Sequence, residues 1–396
     1  MIKVLLVPSS DYLAHPFPQR HNQIFERLNE IEDFEVHVIR FNLFGKARLK
    51  TNLHVHDIRG LPSPSAAIYY LLNAASHASK IRRIIRQEGI DVVVLSNLSA
   101  PMAYTFMDEL SCIGIPIIVD LPDYYPTSAA GYLFNVKSIS GKLLSASFDL
   151  ILRRIMKHAD LVTVVSNGLA TYAHKSGARN VKRIHNGISE HFLKIYKGND
   201  ARKKLGFEPS DFVVGYIGSV EFWLEMKPLF RGIAELVNKG VPAKLLLVGK
   251  GLHTNFIKKV QKEIVSEGIA PHVTWLDFVP YSEVPFYISA IDVGTIPFDI
   301  SNLTASYSAP NKMWEYLSQL KPVVSTSIPE SLCNRTFLSI VESSKDYNMI
   351  FSKIINHDQS LLNQTKAGYS ESLLNTWDHS TQLFAEAVRN VLNCKR

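Results

Sequence analysis

The stretch "SAPNKMWEYLSQLKPVVST" (residues 308–326) puts Pro310 where a helix would begin, an amphipathic segment behind it, and then the β-branched run "PVVST" after only a Lys-Pro step. Proline suits the first helical position, because its missing N–H would have no partner there. A short apolar run rich in valine reads as a buried strand. A helix that feeds directly into a buried strand is one step of a strand–helix alternation.

The same step recurs on both sides. Upstream lie "FVVGYIGS" (212–219), "FRGIAELVNKG" (230–240), "AKLLLVGKG" (243–251), "NFIKKVQKEIVSEG" (255–268), "HVTWLDF" (272–278) and "VGTIPF" (293–298). The first half repeats the rhythm: "IKVLLV" (2–7), "QIFERLNEI" (23–31), "FEVHVI" (34–39), "SKIRRIIRQEG" (79–89), "IDVVVLS" (90–96), "IPIIVD" (115–120) and "DLVTVVS" (160–166). Continuous apolar strands alternating with helices predict parallel sheets covered on both faces. At 396 residues the chain exceeds one ordinary core, and the rhythm breaks at the polar "HNGISEHFLKIYKGND" (185–200). Two doubly wound, Rossmann-like α/β domains are therefore expected, residues 1–190 and 197–376, with an amphipathic helix over 377–396 packing back on the first. Ligands of such sheets bind beyond the carboxyl ends of the strands, so two facing domains would leave an interdomain cleft.

The composition is that of a water-soluble globular chain, with 46% hydrophobic and 20% charged residues and no apolar run of roughly 18 residues. Cys112, Cys333 and Cys394 are too dispersed for a disulfide framework or a zinc site and fit a cytoplasmic protein. The net charge of +7 suits anionic partners, or is ordinary scatter. The basic residues are spread among apolar helix positions without a stacking motif, which argues against nucleic acid. Four Asn-x-Ser/Thr matches, at Asn97, Asn302, Asn334 and Asn363, read as chance.

Lys312 falls in the first turn of the helix begun at Pro310, where the helix dipole disfavours a cation by roughly 0.3–1 kcal/mol. A bound anion would reverse that sign, since free amides and a lysine together form an anion cradle. Glu315, three residues on, shares that side of the helix, and a carboxylate can accept from both hydroxyls of a ribose. A phosphate cradle and a diol acceptor one turn apart suit a nucleoside diphosphate; a surface ion pair is the other reading of the same spacing. Glycines stand at strand ends in Gly218-Ser219, Gly249-Lys250-Gly251 and Gly187, where a backbone can approach a ligand. There is no G-x-G-x-x-G, no Walker sequence and no D-x-D.

Taken in order, "ADLVTVVSNGLATY" (159–172), "VKRIHNGI" (181–188), "VVGYIGS", "KLLLVGKG", "YSEVPFYISAIDVGTIPF" (281–298), "PNKMWEYLSQLKPVVST" and "WDHSTQLF" resemble glycosyltransferase family 4, retaining nucleotide-sugar transferases of GT-B fold. The likeness covers about residues 159–390. It implies a hexosyltransferase using a UDP- or GDP-sugar as substrate, with no resident cofactor and no metal. Glu315 would hold the donor ribose, and Lys312, Asn311 and Pro310 would sit by the diphosphate with Gly218 and Ser219. Gly249, Gly251 and the loop to Phe278 would border the base, and Lys227 would be the further basic partner. Tyr307, beside Ser308, stands where the family carries a donor-sugar glutamate.

In the first half, "DYLAHPFPQRHNQ" and "VDLPDYYPT" supply the acceptor candidates His15, Arg20, Asp123 and Tyr124. Asp120, where the family carries a histidine, joins Lys312 and Glu315 as a catalytic candidate. The resemblance implies a glycan or lipid-linked acceptor, hence polysaccharide or glycolipid synthesis. The basic-apolar stretches 40–50, 80–86 and 143–157 would then touch an anionic membrane peripherally, on its cytoplasmic face; solvated charges on core-facing helices are the plainer reading. A sugar-nucleotide epimerase of the same fold, or a non-catalytic subunit that retains it, are the alternatives.

Overall fold

The computed structural model describes residues 1–15, 17–41, 47–63, 66–97 and 114–395. Part of the basic stretch 40–50, and Cys112, lie outside the described residues. The chain divides into two units. The first comprises Met1–Asn186, Tyr307–Ala309 and Trp377–Arg396; the second comprises Gly187–Ser306 and Pro310–Thr376.

The first unit is built on a seven-stranded sheet: β1 (Ile2–Val7), β2 (Phe34–Phe41), β3 (His54–Ile58), β4 (Val92–Ser96), β5 (Ile117–Leu121), β6 (Leu161–Val164) and β7 (Val181–Arg183). All pairings are parallel, in the order β3-β2-β1-β4-β5-β6-β7. β4, β5 and β6 are buried at every position, as strands covered on both faces must be. The register sets Ser96, Asp120 and Thr163 side by side across β4, β5 and β6, so three polar side chains share one row near the carboxyl ends. The helix Trp377–Lys395 belongs to this unit: Trp377 is buried, and Phe384 meets Phe25 edge-on at 5.2 Å.

The second unit carries a six-stranded parallel sheet: β8 (Phe212–Ile217), β9 (Ala243–Val248), β10 (Val273–Leu276), β11 (Val293–Ile296), β12 (Val323–Thr326) and β13 (Ser339–Val341), in the order β10-β9-β8-β11-β12-β13. Its helices bury one stripe each. Lys227–Asn238, for example, buries Leu229, Phe230, Ile233 and Leu236, each contributing about 1.5–3 kcal/mol of transfer free energy. In each sheet the strand order reverses once, between β1 and β4 and between β8 and β11. Crevices at such reversals are where open α/β sheets bind ligands.

Two glycines in the second sheet exist for packing. A Cβ at Gly294 would fall 2.3 Å from the Tyr316 ring, and one at Gly215 would fall 2.5 Å from Ile291. The lack of a side chain at position 294 lets Tyr316 lie flat on the sheet, where its hydroxyl takes a hydrogen bond from the Ile217 amide at 2.8 Å.

Candidate functional site

In the second unit the loops after β8, β9 and β10 lean on one another. Gly218 N donates to Val248 O at 2.9 Å and Gly249 N to Leu276 O at 3.0 Å. Both glycines have positive φ, +145° and +124°. A Cβ on Gly249 would sit 2.3 Å from Gly218 O, and one on Gly251 would sit 1.8 Å from Val220 O. Only backbone fits at this depth. Because the Gly218 and Gly249 amides are already committed to neighbouring strands, these residues serve the site by lacking a side chain and not by donating.

The helix expected after Pro310 forms over Asn311–Ser318, with Pro310 in the cap position and not the first helical one. Its Met313 amide donates to Pro310 O at 3.1 Å, which leaves the Asn311 and Lys312 amides without an acceptor among the described residues. Lys312 reaches from this first turn across to the β8 loop: its Cε would lie 2.9 Å, and its Nζ 3.2 Å, from a Cβ at Gly218. The ammonium rests over two rings, 5.2 Å from the centroid of Tyr216 and 5.2 Å from that of Phe298. Among the described residues it has no hydrogen bond or ion pair, so the surface ion-pair reading does not hold. Burial pushes its pKa down to about 8, with Glu315 acting in the opposite sense. Glu315 is buried and accepts a hydrogen bond from Tyr281 Oη at 3.0 Å; burial raises its carboxyl above the ordinary value against that bond and Lys312. Asn311 Oδ1 is buried without a partner among the described residues. Sequence and structure thus bring Lys312, Glu315, Asn311 and Gly218 together.

Four further contributors escape sequence reasoning. Tyr216 and Phe298 hold the lysine, and Tyr281 holds the glutamate. Glu221, only 2% exposed, takes the Leu252 amide and so ties the Gly249–Gly251 loop to the β8 loop. Aromatic residues in apolar runs give no signal of such roles in one sequence.

Other candidates are placed differently. Lys227 ion-pairs at 3.8 Å with Glu267, just past the helix Thr254–Ser266. Lys227 opens the helix Lys227–Asn238 that follows the β8 loop, with its half-exposed ammonium engaged by Glu267. Phe278 is 38% exposed beside Asp277, which pairs with Lys250 at 3.1 Å. Ser219 accepts from Tyr216 Oη at 2.6 Å through its carbonyl. Tyr307 and Ser308 belong to the first unit. There the Tyr307 ring packs 5.1 Å from Tyr124 and 5.6 Å from Tyr172, and its carbonyl accepts from Ser166 Oγ. The residue at the donor-sugar glutamate position is thus a packing residue.

In the first unit Asp120 is completely buried. It accepts from Arg20 Nε (3.1 Å) and Nη2 (3.2 Å), from His21 Nε2 (3.1 Å) and from Thr163 Oγ1 (2.7 Å). Burial alone would raise its pKa; the Arg20 guanidinium and His21 outweigh that and hold it well below the usual carboxylate range. Arg20, also buried, spends Nη1 on His185 O and Asn186 Oδ1. The pair clamps the start of the helix Arg20–Leu28 to β5 and the 185–186 turn. Asp120 as a catalytic residue and Arg20 as an acceptor-binding residue are both corrected by this mutual neutralisation. Tyr124 is likewise a core residue, 5% exposed, with its hydroxyl on Asp149 at 2.8 Å. His15 bonds Ser10 Oγ at 3.0 Å and Gln19 Nε2 at 3.2 Å, and burial lowers its pKa. Asp123 stands apart: half-buried, bonded to Asn97 Nδ2 at 2.9 Å, with burial pushing its carboxyl up to about 6.

Comparison with known proteins agrees with both units. A family model described as Glycosyltransferase Family 4 matches residues 23–192, and one described as Glycosyl transferases group 1 matches residues 211–355. TuaH of Bacillus subtilis (strain 168), named for an assigned role as a teichuronic acid biosynthesis glycosyltransferase, is 28% identical over 218 residues, 54% of this chain. The chain spans about half the length, 51%, of that curated relative. Sucrose-phosphate synthase from Thermosynechococcus elongatus superposes over 100% of both chains with a TM-score of 0.80 at 13% identity. Anabaena HepE, solved in complex with UDP-glucose, covers 98% of this chain and 100% of its own with a TM-score of 0.72 at 16% identity. WaaG, a glycosyltransferase involved in lipopolysaccharide biosynthesis, aligns with a TM-score of 0.66 at 12% identity, over 98% of this chain and 99% of its own. Two family models, one over most of each unit and in chain order, and two parallel Rossmann-like units lead to one conclusion: the chain belongs to the glycosyltransferase family 4 type, of GT-B fold.

Proposed function

We propose that the chain transfers a hexose from a nucleotide sugar to an acceptor hydroxyl, with retention of anomeric configuration and without a metal. The observation that carries this reading is the Lys312 ammonium: held over Gly218 by two rings, it has no anionic hydrogen-bond partner among the described residues. A diphosphate would supply that partner and restore the lysine's ordinary basicity. The free amides of the Asn311–Ser318 helix would add donors to the same phosphates. Glu315, a turn further along, would accept from the ribose hydroxyls, with Tyr281 orienting it. HepE, solved with UDP-glucose, favours a UDP-sugar over a GDP-sugar as donor.

In the transfer, the bond from the anomeric carbon to the diphosphate oxygen breaks as the acceptor oxygen bonds to the same face. The acceptor's proton passes to the departing diphosphate oxygen. Lys312 and the helix amides stabilise the charge that grows there. Preorganised donors aimed at developing charge are commonly the main source of an enzyme's rate enhancement. The nucleotide sugar is a substrate, and no resident cofactor enters.

The names of TuaH and WaaG favour a glycan or lipid-linked acceptor. The helix Ile139–His158 exposes Ile139 (80%), Leu143 (65%) and Leu150 (69%), interleaved with exposed Lys142, Arg154 and Lys157. That mixture supports peripheral contact with an anionic membrane on its cytoplasmic face. Among the described residues no helix is long and apolar enough to cross a membrane.

The test is incubation with a panel of UDP- and GDP-sugars and glycan or lipid extracts, for wild type and Glu315→Ala. Donor consumption that needs an acceptor and is lost in the variant is expected. Acceptor-independent interconversion would point to an epimerase, and nucleotide binding without transfer to a non-catalytic subunit; either result sinks the proposal.

A further inference from the structure

The outer end of the first sheet gathers three histidines. β3 ends the strand order and pairs with β2, with His37 opposite His54 and Ile39 opposite His56. Alternate residues of a strand share a face, so Glu35, His37, His54 and His56 stand on one face, beside Lys3 of β1. The His37 ring stacks on both other imidazoles, 4.9 Å from the centroid of His54 and 5.2 Å from that of His56. His37 Nδ1 is 2.9 Å from His56 Nε2, and His37 Nε2 is 2.9 Å from Glu35 Oε1. The same Glu35 oxygen lies 3.6 Å from Lys3 Nζ and 3.9 Å from His54 Nε2. His37 is thus buried with both ring nitrogens engaged.

This geometry limits where protons can go. A carboxylate only accepts, so His37 Nε2 carries a proton; in the neutral ring Nδ1 then accepts, and His56 Nε2 is the donor. A further proton can sit on His56 Nδ1 without disturbing either bond. One more, on His37 Nδ1, would set two N–H donors against each other at 2.9 Å. The surrounding charges impose the same limit. Glu35 and Glu88, the last residue of the helix Ala66–Glu88, are the carboxylates near the rings, and Lys3 is the standing cation. Lys3 and one imidazolium balance them, and a second imidazolium has no counter-charge. Burial lowers the pKa of His37, with Glu35 acting against it; burial and then His37 lower that of His56.

We propose that Glu35, His37, His54 and His56 form an acid-sensitive latch on the sheet edge: with one imidazolium the cluster keeps β3 in place, and a second proton, on His37 or on the His54 ring stacked against it, releases β3 from β2. β3 is the element able to yield. It has five residues, of which only Ile58 is buried, and it stands at the end of the strand order. The release also reaches the far end of the strands. Asp57 pairs with Arg40 at 3.6 Å, and Arg40 pairs in turn with Asp11, buried in the turn after β1. Loss of β3 takes one carboxylate from Arg40 at the carboxyl end of the sheet, the end where open parallel sheets bind ligands. The sign follows from linkage. A histidine whose pKa is lowered in the attached state binds fewer protons attached than released, so release grows as pH falls through about 6.5. The latch does not depend on the transferase reading.

The test uses the full chain. Hydrogen exchange, corrected for the intrinsic pH dependence of amide exchange, is followed from about pH 7.5 to about pH 5.5 for β3, with β9 of the second unit as reference. Nitrogen-15 spectra of histidine-labelled protein report the ring tautomers alongside. Opening of β3 is expected to rise about tenfold or more relative to β9, with His37 protonated on Nε2 alone until it does. His56→Gln keeps a donor for His37 Nδ1 and cannot ionise, so it should flatten the pH dependence. Glu35→Gln keeps an acceptor for His37 Nε2 but removes the charge that tolerates the first imidazolium, so it should enlarge the opening at acid pH. If His56→Gln fails to fold, Glu35→Gln decides the matter, and an opening no larger than that of wild type overturns the proposal. No rise in β3, an equal rise in β9, or the same rise in His56→Gln as in wild type overturns it too.

Discussion

The half-buried Lys312 ammonium predicts opposite pH dependences for ligand binding and for stability. With its pKa lowered from 10.5 to about 8, the free protein holds Lys312 about nine-tenths protonated at about pH 7 and about one-tenth at about pH 9. A diphosphate binds the protonated form, so UDP affinity should fall about tenfold over that interval. The stability sign runs the other way. A lysine whose folded pKa is depressed binds fewer protons folded than unfolded between about 8 and 10.5. Its burial therefore costs stability fully below about pH 8, and the cost is relieved as pH rises toward the unfolded value. Lys312→Met keeps the apolar stem over Tyr216 and Phe298 and removes the charge. It should raise Tm at neutral pH, weaken UDP binding, and cancel the pH dependence of both. Calorimetry of UDP binding and thermal melts, each at about pH 7, 8 and 9 for wild type and variant, give the two slopes, and the variant subtracts ionisation of the ligand itself. Equal slopes for wild type and Lys312→Met, in either readout, would refute the assignment of the lysine to the diphosphate.

Gly251→Ala sets a Cβ 1.8 Å from a carbonyl oxygen that cannot yield, so it should destabilise by about 3 kcal/mol or more, read by urea titration. Gly218→Ala meets the flexible end of Lys312 but must also hold a φ of +145°, so it should destabilise by about 1–3 kcal/mol as well as weaken UDP binding. Asp120→Ala leaves the buried Arg20 unpaired, at a cost of about 3–5 kcal/mol, which would show as loss of folded protein and not as a selective kinetic defect. Because Asp120 is held below the ordinary range, its contribution is present above the unfolded pKa and is lost only as pH falls through its own low value; acid titration of wild type should show a late unfolding step. Leu143→Glu with Leu150→Glu should reduce co-flotation with vesicles containing anionic lipid without changing UDP binding.

The strands that form the centre of each sheet are legible because both faces are buried, which leaves uninterrupted valine, isoleucine and leucine in the sequence. β3, "HVHDI", is not: it is an edge strand with exposed His54 and Asp57, and its alternation with histidine reads as polar loop. β7 and β13 are three residues each, too short for any periodicity. In the site, Lys312 and Glu315 can be picked out because a cation at the positive end of a helix is an anomaly that one line of sequence displays. Asp120, near the end of β5, and Arg20, at the start of a helix, stand out too but mislead, since nothing in their types or spacing shows that they face each other.

Tyr316 lying on Gly294 has a consequence for heredity. The two positions are 22 residues apart, yet any side chain at 294 would displace the ring that holds the Ile217 amide, and so shift the helix carrying Lys312. Neither residue is free to drift alone. Exchange of gene segments with a breakpoint between them would join a β11 and a helix that had not been selected together, and a glycine at 294 should travel with an aromatic at 316 as one inherited unit.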